Sequence, residues 1–293
     1  MTQYRNTGAG GTAGVAISGS NMGGSSGDQP TALLIDGGSA VVFDTAHASR
    51  AGYESFHVTP TASPGHDYIQ YGGLTATGLA SRQYVYFTSN PGAGGDMVID
   101  RHFGPTTNVA ILKFISTGAL RIVDNAGATI WTSGSAFPLS QIIRVDFFTD
   151  TTADKVKAAW SVLDAAPSVD STLLTMVGGG SAAVRSDLGK VSGVYATDFW
   201  FGDVAVDDAA TDYIPAGPSV TALTATQVVV PSTATIPFTA TATVTATGGT
   251  GTVKNYSWAW GDGGTTAAQT SNVASHSYTV AGSYSCVCTV VNT

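Results

Sequence analysis

The chain has 293 residues and a formal net charge of −8, from 12 basic and 20 acidic residues. Charged residues make up only 11% of the chain and hydrophobic residues 43%, which predicts a globular, β-rich protein whose polar surface is built mainly from hydroxyl groups. No Lys/Arg cluster offers the basic face that nucleic-acid binding needs, and no run of about 18 apolar residues predicts a membrane span.

The first 30 residues are rich in Gly, Ser and Thr and show little hydrophobic patterning. We therefore predict a flexible arm over residues 1–30, which either frays or becomes ordered on a partner. The opening sequence MTQYRNTGAGGTAG lacks the basic and then apolar pattern of a secretory signal peptide, so no signal peptide is expected.

Seven segments of the next stretch carry β-branched and aromatic residues at every second position or as short apolar runs, as β-strands do. They are residues 40–43, 84–87, 108–115, 119–123, 142–148, 156–162 and 199–206. Segment 154–166 could form a helix, but its apolar residues are spaced by two, so we expect the second arm of a hairpin. The pattern predicts one large β-sandwich over residues 31–214.

A short linker rich in proline, residues 215–218, separates this sandwich from a second domain at residues 219–293. The second domain has its own predicted strands. They are residues 227–230, 238–246, 254–260, 276–278 and 284–291.

Three short motifs mark the second domain: YSWAWGDG at 256–263, HSY at 276–278 and AGSY at 281–284. They resemble the PKD family pattern W-x-F-G-D-G, H-x-Y and G-x-Y, with Trp260 in place of the usual Phe. The resemblance implies an immunoglobulin-like β-sandwich, in which Cys286 and Cys288 are small core residues. The structural residues that it implies are Trp258, Trp260, Gly261, Asp262, Gly263, His276, Tyr278, Gly282 and Tyr284.

The first domain resembles the concanavalin A-like (laminin G-like) jelly-roll superfamily in its number of strands and in the closing strand WFGDVAVD at 200–207. Similar endings occur in minor tail and head-surface proteins of tailed bacteriophages. The expected fold class is all-β, with a large concanavalin A-like jelly-roll sandwich followed by a smaller immunoglobulin-like (PKD) β-sandwich.

Catalysis is not expected. Retaining glycosidases of this superfamily use two Glu residues in an E-x-D-x-x-E pattern, and Glu54 is the only Glu in the chain. No histidine accompanies a G-x-S-x-G nucleophile motif. We expect His66 and the Asp100-Arg101-His102 segment near turns, on a solvated rim.

Aromatic residues offer a surface on which a sugar ring could stack, and the candidates are Trp131, Tyr68 and Tyr71, the tyrosines on either side of a Gly-rich turn. A core position for Trp131 is the favoured alternative. Laminin G-like folds often hold a structural calcium ion, so the resemblance makes Asp203, Asp207 and Asp208 candidate ligands, with Asp124 and Asn125 as the alternative. Turns also favour Asp without any metal, so both interpretations stay open.

These features lead to the hypothesis of a non-enzymatic surface protein of a tailed-bacteriophage virion, either a capsid decoration or a minor tail protein, that aids attachment to host surface glycans. Its expected partners are other virion proteins, host glycans and copies of itself, without nucleic acid or membrane insertion. Its expected location is the virion surface, which is extracellular after host lysis. The alternatives are a secreted carbohydrate-binding module of a polysaccharide-degrading system, and a lyase or glycosidase.

Overall fold

A computed structural model describes residues 3–23, 27–36, 38–49, 53–60, 65–92, 95–163, 165, 167–177, 181–195, 197–214, 219–226, 238–247, 253–280, 282 and 284–292. The chain divides into two compact units, Met1–Ile214 and Pro215–Thr293. All regular secondary structure in the described residues is β-strand. Within these residues no helix is long and apolar enough to cross a membrane.

The described residues of the first unit form sixteen strands. They are β1 (Gln3–Asn6), β2 (Ala32–Ile35), β3 (Ala40–Asp44), β4 (Ser55–Thr59), β5 (Asp67–Ala76), β6 (Gly78–Phe87), β7 (Met97–Phe103), β8 (Asn108–Phe114), β9 (Ala119–Asp124), β10 (Thr129–Ala136), β11 (Ile142–Asp150), β12 (Lys155–Val162), β13 (Val169–Asp170), β14 (Leu174–Thr175), β15 (Ala183–Ser192) and β16 (Phe199–Asp207).

These strands form two antiparallel sheets. The nine-stranded sheet has the order β13-β12-β11-β6-β16-β4-β3, with β1 beside β16 and β14 beside β12. The seven-stranded sheet has the order β10-β9-β8-β7-β15-β5-β2. All seven segments predicted as strands lie within or overlap strands of these sheets, and β12 is the hairpin partner of β11, as its spacing of two indicated.

The two sheets pack face to face around one aromatic core. Phe87 of the nine-stranded sheet stacks on Phe114 of the seven-stranded sheet, with 4.4 Å between ring centroids, and Phe199 lies 5.8 Å from Phe87. Since successive side chains of a strand point to opposite faces, each strand contributes alternate residues to this core and the rest to an outer face. The all-β prediction is confirmed.

The prediction of a flexible N-terminal arm is wrong for its described part. Strand β1 pairs with β16, and the side chains of Ile17 and Met22 are buried in the main core. The glycines of this segment permit close packing: a Cβ on Gly11 would lie 2.3 Å from Cδ1 of Phe43. A composition that suggested flexibility therefore reflects backbone packed directly against the core.

The second unit contains two three-stranded sheets, ordered β17-β18-β21 and β20-β19-β22. Their strands are β17 (Ser219–Thr226), β18 (Phe238–Thr247), β19 (Val253–Ala259), β20 (Thr265–Gln269), β21 (Val273–Tyr278) and β22 (Val287–Asn292). The predicted linker 215–218 and the predicted strand 227–230 lie outside the described residues.

The core of the second unit is built from the predicted motif residues. The indole rings of Trp258 and Trp260 are buried and stacked, with centroids 5.6 Å apart. The Tyr278 hydroxyl donates a 2.9 Å hydrogen bond to the Trp260 carbonyl, and its ring stacks on Tyr284 at 4.4 Å. A Cβ on Gly282 would lie 2.9 Å from Cζ of Tyr284, so this glycine leaves room for that ring.

The Gly-Asp-Gly turn after Trp260 is held by its central aspartate. Asp262 Oδ1 accepts a 2.8 Å hydrogen bond from the Gly264 amide, and Oδ2 lies 2.7 Å from His276 Nε2. The hydrogen bond with His276, together with that from Gly264, lowers the pKa of Asp262. The motif is therefore a structural network that joins this turn to strand β21.

The two cysteines pack at the margin of this core. Cys286 and Cys288 are free thiols, half-buried, and burial raises the pKa of both. Both contact the core as small residues, in agreement with the interpretation from sequence.

The two glycines of the turn give a matched pair of substitutions. Both have positive φ, +85° at Gly261 and +91° at Gly263, but only at Gly261 would a Cβ meet backbone, 2.6 Å from the Ser285 carbonyl oxygen. We expect Gly263→Ala to cost about 1 kcal/mol and Gly261→Ala about 3 kcal/mol of unfolding free energy. Calorimetric unfolding of the full chain measures both, and equal costs would contradict the close packing at Ser285.

Candidate functional site

The sandwich interior contains a polar network with the residue types of a hydrolytic triad. Ser81 Oγ lies 2.7 Å from Asp100 Oδ2 and 2.8 Å from His102 Nε2. His102 Nδ1 in turn lies 2.8 Å from Thr149 Oγ1. Asp100 and His102 are fully buried, so the expectation that they lie on a solvated rim is wrong. No substrate can reach this Ser81 hydroxyl in the folded sandwich.

Burial favours the uncharged form of both ionisable groups of this network. It raises the pKa of Asp100 well above its usual value, and it lowers the pKa of His102 to about 3. A charge here would be far from water, and no opposite charge is hydrogen-bonded to either group, since the nearest His102–Asp100 approach is 3.9 Å. The network therefore serves the structure of the core.

The three predicted sugar-stacking residues are not brought together. Tyr71 points into the main core, where its ring lies 5.3 Å from that of Tyr4, and Tyr68 points to the opposite face of β5. Trp131 is half-buried on strand β10 and packs against the main core. The prediction that the two tyrosines are on either side of a turn is wrong, because both lie within β5.

Two of the three predicted calcium ligands have other roles. Asp203 is buried and accepts hydrogen bonds from Arg5, at 3.1 Å, and from the Ser49 hydroxyl, at 2.9 Å. Asp207 Oδ1 accepts a 3.0 Å hydrogen bond from the Ala209 amide. In the described part of the chain, which includes Asp208, no three His, Cys, Asp or Glu side chains are grouped as a metal site. Calcium binding stays a prediction without a ligand set.

Tyr68 instead belongs to a charged cluster on the outer face of the seven-stranded sheet. Asp187 of β15 lies opposite Arg101 of β7, and its Oδ2 accepts hydrogen bonds from Arg101 Nε (2.8 Å) and Nη2 (2.5 Å) and from Arg185 Nε (3.2 Å). The Arg185 guanidinium lies 4.1 Å from the Phe103 ring centroid. We call Arg101, Asp187 and Arg185 the open cluster.

A β-bulge in β7 places Arg101 on this face. Val98 pairs with Lys113 and Asp100 with Leu112, so that Ile99 is an extra residue on β7. Ile99 lies in the core, yet Arg101, two positions later, reaches the outer face. Regular alternation from Ile99 would have directed the Arg101 guanidinium into the core.

Apolar side chains beside the open cluster form a small floor. Tyr68, Val98 and Val191 are buried against one another, with Leu34 and Ile111 packed at the margin. Burial, followed by the nearby Asp187 carboxylate, raises the pKa of Tyr68. Along β5, Ile69 and Tyr71 point to the core. Because side chains alternate along a strand, Tyr68 and Gln70 both point to the outer face.

The outer face of the seven-stranded sheet is locally basic in an acidic chain. It carries four of the chain's 12 basic residues, Arg101, Arg185, Lys113 and Arg121. Asp187 and Asp96, which bonds Arg121 at 3.2 Å, are the carboxylates paired with them. Burial raises the pKa of Asp187, although the two guanidiniums act to lower it.

The nine-stranded sheet offers no comparable open surface at its most aromatic point. Trp200 on its outer face is packed against His57, stacked at 4.3 Å, and against His47 at 4.1 Å, and it is only 9% exposed. Asp198 holds His57 with a 3.0 Å contact. This indole therefore packs within a local cluster and presents little ring surface to a ligand.

The sheet order defines the structural class of the protein: an antiparallel jelly-roll sandwich followed by an immunoglobulin-like domain. Residues 216–293 match the family model described as PKD domain, so the C-terminal unit is a PKD domain. No curated protein sequence matches the chain.

Several solved structures are similar to part of the chain. The catalytic domain of a glycoside hydrolase family 131 protein from Coprinopsis cinerea is 14% identical, with 72% of this chain and 98% of that chain covered and a TM-score of 0.45. Cellulose induced protein Cip1 is 14% identical, with coverages of 59% and 88% and a TM-score of 0.43. Lectin II from Ulex europaeus is 7% identical, with coverages of 58% and 93% and a TM-score of 0.40.

The buried Asp100–His102 pair predicts an unusual response to pH. Above the ordinary Asp pKa of 3.8, and below both the raised pKa of Asp100 and the ordinary His pKa of 6.5, the folded state holds a proton on Asp100 and none on His102, whereas the unfolded chain has the reverse. Both states then bind the same number of protons at this pair, so it adds no pH dependence to the unfolding free energy in that window.

Single substitutions break this compensation in opposite directions. In His102→Gln only the folded state binds the Asp100 proton, so unfolding free energy relative to wild type falls by about 1.4 kcal/mol per pH unit as pH rises from about 4 towards the raised pKa of Asp100. In Asp100→Asn the unfolding free energy falls similarly as pH decreases from about 6.5 towards 4, because only the unfolded state protonates His102. Urea titrations at several pH values measure the slopes. The double variant should parallel wild type, and single variants that also do so would contradict the assignment.

Proposed function

We propose that this chain is a non-enzymatic glycan-binding protein that acts on the surface of a tailed-bacteriophage virion, as a capsid decoration or minor tail protein. The observation that carries glycan binding is the outer face of the seven-stranded sheet. There the planar polar side chains of Arg101, Arg185 and Gln70 share one face with an apolar floor that contains Tyr68, and Arg101 lies beside the Tyr68 ring. Sugar sites combine these features, since hydroxyls need planar hydrogen-bonding partners and ring C–H groups need apolar contact.

The absence of catalysis is part of the proposal. The one Ser-His-Asp network of the described residues is buried, and the open cluster contains a single carboxylate, whose two nearest cations compete for it. Glycosidic hydrolysis by the common mechanism needs two carboxyl groups at the sugar. The virion setting rests on the resemblance of the closing strand 200–207 to those of phage surface proteins.

Truncation of one side chain on the proposed surface tests glycan binding. Gln70→Ala should weaken binding about 3- to 10-fold, the effect of losing one neutral hydrogen bond. Gln141→Ala is the matched control, because Gln141 is exposed just before β11 of the other sheet. Binding is measured on a glycan panel and then by calorimetry with the tightest ligand, and equal losses in both variants would remove this face from consideration.

The same samples test for catalysis. We expect no new reducing ends and no unsaturated uronate product after prolonged incubation with bound polysaccharides. Product formation that scales with protein concentration would establish a glycosidase or lyase instead.

Immunogold electron microscopy with an antibody to residues 219–293 tests the location. We expect label on purified particles: regular label over the head indicates capsid decoration, and label at the tail tip indicates a role in adsorption. Antigen found only free in the culture medium would replace the virion proposal with the secreted carbohydrate-binding module, which the combination of a sandwich with a PKD domain also favours.

A further inference from the structure

The first unit carries a cluster of two arginines and one aspartate on each of its outer faces, and the two clusters differ in how many oxygens of the aspartate accept hydrogen bonds from arginine. On the nine-stranded sheet, Asp146 Oδ1 accepts from Arg82 Nε at 2.6 Å and Oδ2 accepts from Arg144 Nε at 2.9 Å. Arg82 also donates to the Ile214 carbonyl. The arginine side chains are 7% and 5% exposed. We call this the closed cluster.

In the open cluster only one carboxylate oxygen is used. Both arginines bond Asp187 Oδ2, whereas Oδ1 is buried with no donor in the described part of the chain. Arg101 and Arg185 are 18% and 27% exposed, so both guanidiniums reach solvent. The two clusters thus have the same composition, but both oxygens of Asp146 accept from arginine whereas only one oxygen of Asp187 does.

The unused donors belong chiefly to Arg185. Its Nε bonds Asp187, and its two terminal nitrogens have no acceptor among the residues that the structure describes. The guanidinium is nevertheless fixed in orientation, because Asp187 holds one edge and the Phe103 ring lies 4.1 Å away. A preoriented guanidinium edge is the arrangement that accepts a carboxylate through two parallel hydrogen bonds.

The charge of the cluster favours the same ligand. Two guanidiniums share one carboxylate, so one positive charge is unbalanced, and Lys113 and Arg121 on the same face add to the local potential. A neutral sugar could use the hydrogen-bond donors but would gain nothing from the charge. The apolar floor beside Arg101 would accommodate the ring that carries the anionic group.

We propose that the open cluster is a carboxylate-binding subsite and that the glycan bound by this chain is acidic, with uronate-type sugar residues. This inference rests on the proposed glycan-binding function and narrows its ligand class. The carboxylate of the sugar bonds the free edge of Arg185, Arg101 supports it electrostatically, and the sugar ring lies on the floor around Tyr68.

The experiment uses the full chain and three probes: a polyuronate oligosaccharide, the same oligosaccharide with its carboxyl groups reduced to alcohols, and dextran sulfate as a polyanion without carboxylates. We expect the carboxyl-reduced probe to bind at least about 10-fold more weakly than the polyuronate, because a charge-assisted bidentate contact is lost. Calorimetry at fixed ionic strength gives each Kd.

Two substitutions and one control assign the effect to Arg185. Arg185→Gln should weaken polyuronate binding about 10-fold or more, and Arg185→Lys should weaken it about 5-fold despite the retained charge, because Lys lacks the planar fork. Lys155→Gln makes the same charge change on the nine-stranded sheet and should leave Kd within about 2-fold. Asp187 keeps Arg101 as its partner in both Arg185 variants, and circular dichroism checks their folding.

Each outcome separates this inference from the function on which it rests. Equal affinity for the polyuronate and its reduced form would overturn the carboxylate subsite while leaving glycan binding intact. Dextran sulfate binding as tight as polyuronate binding, and unaffected by Arg185→Lys, would replace the subsite with general electrostatic attraction. The absence of binding to both oligosaccharides and to every glycan of the panel would overturn the proposed function itself.

Discussion

The face-to-face packing of two antiparallel sheets is the interaction on which the rest of the first unit depends. The stacked rings of Phe87, Phe114 and Phe199 require one face of every strand to be apolar. The opposite faces are thereby released from packing and can carry charge. The chain has a net charge of −8 and only 12 basic residues. Because its acidic residues already supply the charge that keeps a protein in solution, few arginines are needed for that purpose, and the position of each one is informative.

The separation of apolar inner faces from polar outer faces is not complete, because polar residues also lie inside the sandwich. Ser81, Asp100, His102 and Thr149 connect the two sheets through hydrogen bonds where an apolar core would have sufficed. Such a network favours one register between sheets over others, since displaced donors and acceptors would be buried without partners. Ser, His and Asp suggest a hydrolytic site when they are seen in a sequence. In this fold they contribute to the specificity of folding instead.

Local pattern predicted much of the fold but little of the site. Strands such as β11 and β16 alternate regularly, and the PKD motif residues Trp258 to Tyr284 act together within one short stretch, so both were recognisable. Strand β15, VRSDLGKV at 184–191, has too many polar residues to suggest a buried strand. The pairing of Arg101 with Asp187 joins positions 86 apart and leaves no local signal. Tyr68 was identified, but as a stacking ring rather than as part of a floor.

The extra residue in β7 sets how the strand divides its side chains between the interior and the surface. Ile99 and Asp100 both point inward, so loss of Ile99 would restore regular alternation without exchanging the faces: Val98 and Arg101 would stay outside, and Asp100 and His102 would stay inside. Insertion of one residue between Asp100 and Arg101, without a second bulge, would instead exchange the two faces for the rest of the strand. The recognition surface therefore tolerates a β7 that is one residue shorter at this point, at the expense of the Ile99 side chain in the core, but not one that is longer.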